Sequence, residues 1–244
     1  MRCCLRLLCG GLALLIASPA MPVCNVPQPR RVCAEYFASQ IVVEADLIQI
    51  RALHDKDDPQ GISSYSYTLS INQVIRGKIK GSIHVYESND SGRATFEWAA
   101  GRKYLLFLWY EARDKSWELD GCGNSGPLTG AEAALSEIKV IKARHDLGKI
   151  HGLVTKQNLS TPFPGVHIEA RGSKGRYTAM TDEEGEFRIN VPPGKYIVRA
   201  VENPLSFQTA DFSYEDPRRI RIEPGGCVQV QLIGFERPFR SYSH

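Results

Sequence analysis

Tyr65-Ser66-Tyr67-Thr68-Leu69-Ser70-Ile71-Asn72 decides the fold of the first half of the chain. Apolar residues fall at every second position with polar ones between them. That period sets one face of a β-strand on a core and the other in water. Working outward, Gln40 to Arg51 alternates well enough to be a half-buried strand, with Ile41, Val43, Ala45 and Leu47 on one face. The polar run from His54 to Gly61 ends it. Ile83 and Val85 mark a third strand, after a turn around Gly77 and Gly81. Lys103 to Tyr110 is a fourth, apolar on both faces and therefore central, and Trp117 to Leu119 a short fifth. One helix follows. Thr129 and Glu132 match a capping box, Ala131, Ala134, Leu135, Ile138 and Ile141 recur at helical spacing, and Gly148 stops it.

From Lys149 the pattern changes to short strands between glycine and proline turns: 149–155, 166–171, 176–181, 186–190, 195–202 and 227–233. Asp182 to Gly185 and Pro192 to Gly194 read as tight hairpin turns, with glycine free to take positive φ. The expected fold class is mainly β: an OB-like five-stranded barrel with one C-terminal helix, then an Ig-like or transthyretin-like β-sandwich. Residues 24–146 form the first module and 148–236 the second, with the boundary near Asp146 to Lys149 and a tail at 237–244.

The N-terminus sets the compartment. Arg2 and Arg6 precede an apolar run from Leu5 to Ile16, and Ser18-Pro19-Ala20 supplies small residues three and one positions before a cleavage point. These are the parts of a signal peptide over residues 1–20, and the expected location is secreted or periplasmic. The run is shorter than the roughly 20 residues of a membrane span, and no later stretch is long enough. Cleavage lowers the formal net charge from +3 to +1. Residues 21–147 carry 15 basic and 16 acidic side chains, and residues 148–236 carry 11 of each. Such balance argues against a long-range field that draws in nucleic acid or anionic lipid. Four cysteines remain, and an even number in an exported chain favours disulfides over metal or redox roles. The expected pairs are Cys33–Cys122 and Cys24–Cys227.

Two family resemblances rest on these segments. Cys33, the strand Ile41 to Ile50, Val74 to Gly77, Gly101-Arg-Lys-Tyr-Leu-Leu-Phe107 and Gly121-Cys122-Gly-Asn-Ser-Gly-Pro-Leu128 resemble the bacterial netrin/tissue-inhibitor-of-metalloproteinase (NTR) module. Eight residues separate Cys24 from Cys33, where the module has one between its leading cysteines, and its internal Cys-Gly is missing near Ser91-Gly92. The second half resembles the carboxypeptidase regulatory-like, transthyretin-like domain. Gly148 to Val154, Pro164-Gly-Val166, Thr181 to Phe187 and Pro192 to Tyr196 carry that likeness in order. It implies a non-catalytic sandwich appended to other domains.

The sequence carries no motif of catalytic chemistry. The six histidines, His54, His84, His145, His151, His167 and His244, include no i, i+4 pair. Phosphate-loop and nucleophile-elbow motifs are absent, and Asp182-Glu183-Glu184 lacks the spacing of a calcium loop, so it reads as a solvated hairpin tip. No catalytic, metal or cofactor-binding residue is assigned. Tyr65, Tyr67, Tyr86, Phe96, Trp98 and Trp109 read as core and cross-strand pairs, against a stacking platform for a polymer. The leading expectation is an exported, non-catalytic binding or envelope-structural protein, contacting a protein or an envelope polysaccharide and no nucleic acid. The alternative is metalloprotease inhibition, which the first resemblance implies through the free amine of an N-terminal cysteine; cleavage after Ala20 leaves Met21-Pro-Val ahead of Cys24. An enzyme with an unrecognised site is the weaker third.

Overall fold

The computed structural model describes Cys24 and residues 29–90, 92–143, 147–201, 206–209 and 214–235. The expected signal peptide, the tail at 237–244 and Asp146 of the expected boundary lie outside them.

Five strands close on themselves in the first half. These are β1 (Ile41–His54), β2 (Ile62–Arg76), β3 (Ser82–Ser88), β4 (Lys103–Glu111) and β5 (Ser116–Glu118). They pair in the order β1-β2-β3-β5-β4, and β4 returns to β1, so the sheet has no free edge there. A single parallel pairing, Val85 with Trp117, joins β3 to β5. β1 serves two partners because it bends. Register shifts at Val42/Val43, Glu44/Ala45 and Leu47/Gln49 turn its first half onto β4 while most of its length stays on β2. Two-residue β6 (Gly126–Pro127) adds to β4.

The expectation that the fourth strand is central holds for a specific reason. Tyr104, Leu106 and Leu108 point into the barrel with Val43, Ala45, Leu47, Leu69 and Val85. Leu105 and Phe107 point outward and pack with Val42 under two helices, against Tyr36, Ile138 and Ile141. All five residues from Tyr104 to Leu108 are fully buried. One of those helices, α1 (Val32–Ala38), went unread in the sequence, because seven residues give too little periodicity. The other, α2 (Glu132–Ala143), starts three residues after Thr129. The expected capping box does not form: the Glu132 carboxylate accepts from the Gly130 N–H instead.

The second half is a sandwich of two four-stranded sheets. β10 (Glu186–Val191), β7 (Gly148–Lys156), β14 (Cys227–Phe235) and β12 (Ser206–Thr209) make one, in that order. β13 (Ile220–Ile222), β11 (Gly194–Ala200), β8 (His167–Gly172) and β9 (Gly175–Met180) make the other. β14 and β7 run parallel from Cys227 opposite Lys149 to Gly234 opposite Lys156. Between the sheets lie Ile150, Val154, Ile168, Phe187, Ile189, Val198, Val230 and Leu232.

The two expected hairpins are corrected by this topology. Asp182 to Gly185 leads from β9 to β10 and Pro192–Pro193 from β10 to β11, so both segments cross between the sheets. Gly185 does take positive φ (+74°), where an added Cβ would overlap the Val154 carbonyl; Gly194 is not among the positive-φ residues. β12 and β13 were not read from the sequence, being three or four residues long.

Leu106→Ala should lower stability by about 2–5 kcal/mol, since it removes a filled position in a closed barrel. Ile48→Ala, at a residue 59% exposed, should stay within about 0.5 kcal/mol. Urea unfolding midpoints compare the two, and equal midpoints would refute this account of the core.

Candidate functional site at the barrel–sandwich seam

The four cysteines form two disulfides, but not the expected ones. Cys24 pairs with Cys122 and Cys33 with Cys227. The expected pairs, Cys33–Cys122 and Cys24–Cys227, fail because Cys33 sits in α1, and α1 packs against β14, whose first residue is Cys227. With seven residues, α1 leaves no periodic trace in the sequence, so nothing there shows that the barrel's leading helix lies on the sandwich.

A polar lattice surrounds that bond. Gln229, one pleat along β14 from Cys227, accepts the Arg31 N–H at 2.8 Å and donates to the Pro29 carbonyl at 3.0 Å. Arg31 reaches Glu186 on β10 at 3.0 Å. At the other end of α1, Arg76 lies over the Tyr36 and Phe37 rings, donates to the Ser39 carbonyl and pairs with Glu223 beyond β13 at 3.3 Å.

Inside the seam Glu35 is 1% exposed. Its Oε2 accepts both the backbone N–H and the side-chain amide of Asn124, each at 2.6 Å. Asn124 in turn donates to the Arg30 carbonyl. Gly123 has no side chain because a Cβ there would overlap Glu35 Oε1, an oxygen with no hydrogen-bond partner. Burial pushes the Glu35 carboxyl above the usual carboxylate range, opposed by the nearby Arg30 guanidinium and the Asn124 donors. Arg30 pairs with Asp120 at 2.9 Å and lies over the Tyr214 ring, whose hydroxyl burial pushes up to about 12. Asp120 also accepts the Cys122 N–H, so the disulfide turn and the buried carboxyl share one network.

Alongside this network runs an open groove of about 880 Å³, walled by α2 and by Arg31, Lys149, His151 and Glu186. His151 is pushed down to about 4 by burial first, then by Arg31, Arg188 and Lys149, so it is neutral at pH 7. It has neither the charge nor the poise of a general acid or base at that pH. The groove presents charges of both signs. Among the described residues no group of three His, Cys, Asp or Glu is placed to hold a metal, and no helix is long and apolar enough to cross a membrane. His84 and His167 are exposed. Of the aromatic residues, Tyr67, Trp98, Phe96 and Tyr104 contact one another at the barrel's end, with Tyr67 stacked on Trp98 at 4.3 Å and bonded to Glu87. They are core.

Residues 149–231 match the family model of the carboxypeptidase regulatory-like domain, so the sandwich is a domain of that kind. The comparison with curated proteins finds no match. Among solved structures, the major pilin subunit of Bacillus cereus aligns at 10% identity and a TM-score of 0.28, over 82% of this chain. This chain spans 61% of that subunit. A major pilin protein of Streptococcus pyogenes aligns at 9% identity and a TM-score of 0.17, over 87% of this chain and 95% of that one. Likeness at this level bears on neither fold nor function.

Two outcomes follow from the seam. With its pKa depressed on folding, His151 contributes stability in full above about pH 6.5, lost as pH falls toward 4. His151→Asn should lose that share, so the difference between variant and parent should shrink as the pH is lowered through this window. A constant difference in unfolding midpoint would rule it out. Cys33→Ser with Cys227→Ser should cost up to about 5 kcal/mol, given a separation of 194 residues. An unchanged midpoint would show that the seam holds without the bond.

Proposed function

We propose that this is an exported, non-catalytic binding or envelope-structural protein. Residues 1–20 are its signal peptide, residues 24–146 an NTR-like barrel of the OB type, and residues 148–236 a carboxypeptidase regulatory-like sandwich. The single observation that carries the reading is the Cys33–Cys227 bond across the seam. Two disulfides belong to an oxidising compartment. A covalent tie between barrel and sandwich suits a rigid scaffold for contact. Arg30, paired with Asp120 in the barrel, also lies over the Tyr214 ring of the second half, a further contact across the seam. The partner class is a protein or an envelope polysaccharide.

Expression of the whole chain in a bacterium tests it. The expected product lies in the periplasm or medium, starts at Met21, and has a mass lowered by the four hydrogens of two disulfides. A cytoplasmic product with residues 1–20 and free thiols would overturn the proposal.

One observation favours the alternative of metalloprotease inhibition. Cys24 is exposed and tied to Cys122, as a rigid chelating N-terminus requires. A mature chain starting at Cys24 that slows a metalloprotease would put this reading first; a start at Met21 removes it.

A further inference from the structure

Charge counts along the chain balance, but the pleat of the second sandwich sheet does not distribute them evenly. Alternate residues of β13, β11, β8 and β9 point away from the core. Lys195 on β11 stands directly opposite Arg221 on β13, and Arg171 on β8 directly opposite Arg176 on β9. Like charges facing across strands are destabilising, and here two such pairs share one face.

The outward positions of these strands hold a single carboxylate, Glu169, and it is only 2% exposed. Arg176 and Arg199 both bind it, at 2.8 and 2.9 Å. It is thus spent on those two cations. Arg218, beside the face, is paired with Asp216. Arg171, Lys195 and Arg221 have no carboxylate partner among the described residues. They sit on three adjacent strands, within about 10 Å across the sheet at the usual strand spacing.

These cations rim a groove of about 570 Å³. Its floor includes Ile197, 53% exposed, and the Arg171 and Lys195 stems. Met180, on the same face, is 58% exposed. Ile197 in water among unpaired cations, with Met180 farther along the same face opposite His167, suits a surface that is anionic at the level of the cations and apolar just beneath. A stacking platform for nucleic acid needs exposed rings. Tyr196 in the groove is buried, and the described outward positions of this sheet carry no aromatic residue.

We propose that this face docks on an anionic lipid surface. Phosphate headgroups lie between Arg171, Lys195 and Arg221, and Ile197 and Met180 enter the boundary with the acyl chains. This revises the expectation from charge balance: alternation gathers the cations of distant segments onto one face. The choice of a membrane as the anion's source rests on the envelope location proposed above. That location fails with an uncleaved cytoplasmic product, whereas the docking fails by the binding data alone.

Vesicle co-sedimentation of the purified mature chain tests it, with phosphatidylcholine vesicles against phosphatidylcholine–phosphatidylglycerol vesicles. Binding is expected only to the anionic set and to weaken as salt is raised. Arg171→Gln, Lys195→Gln and Arg221→Gln together should reduce it about a hundredfold. Ile197→Ser should reduce the binding that survives high salt. The triple variant should unfold no earlier than its parent, because it removes like-charge repulsion, so loss of binding cannot be laid to misfolding. Soluble glycerol phosphate should compete weakly; if it competes as well as vesicles, the site takes free phosphate and the lipid surface is refuted. Equal binding to both vesicle sets, parental binding by the triple variant, or binding to single-stranded DNA or a soluble acidic polysaccharide without vesicle binding would each overturn the proposal.

Discussion

Two strands are buried on both faces, and α1 lies where their outer faces meet. β4 gives Tyr104, Leu106 and Leu108 to the barrel interior and Leu105 and Phe107 to the helices outside it. β14 gives Val228, Val230 and Leu232 to the sandwich interior, while Cys227, Gln229 and Gln231 are buried on its opposite side. A strand face that carries polar groups out of water must satisfy them. Gln229 meets that demand by bonding both ways to the chain at Pro29 and Arg31, just ahead of α1. The Cys33–Cys227 bond then fixes the helix in place. Remove that contact, and the outer side of β14 loses its cover.

The buried polar groups of the seam follow from this placement. Glu35, the residue before Tyr36 on α1, meets the Asn124 turn while Tyr36 packs on β4. Its carboxyl is tolerated because Asn124 supplies two donors and Arg30 stands nearby. Gly123 makes room. Burying charge in this way gives weak net stability but a defined geometry. Burial accounts for the raised Glu35 carboxyl and the lowered His151 imidazole.

Much of the fold was legible. The alternation of Tyr65 to Asn72, the two-sided apolar run at Tyr104 to Leu108 and the helical stripe through Ile138 and Ile141 each map onto an observed element. Short elements were not: α1, β12 and β13 have three to seven residues, fewer than a periodicity needs to declare itself. The cysteine partners were unreadable for the same reason, since the pairing depends on where α1 lies. A turn motif identifies a reversal but not which sheet the next strand joins, so the Asp182 and Pro192 turns passed as hairpins.

By itself the sequence determined which residues turn inward, because the two-residue period of a strand and the 3.6-residue period of a helix are local properties. It therefore determined a mainly β chain, a barrel followed by a sandwich, and the cysteines available to bond. Only the tertiary structure decided which cysteines meet, that barrel and sandwich share a seam, and that Arg171, Lys195 and Arg221 stand on one face. Those outcomes depend on the order of strands in a sheet and on the register between them. Both are set by pairing across long stretches of chain, which no local pattern encodes.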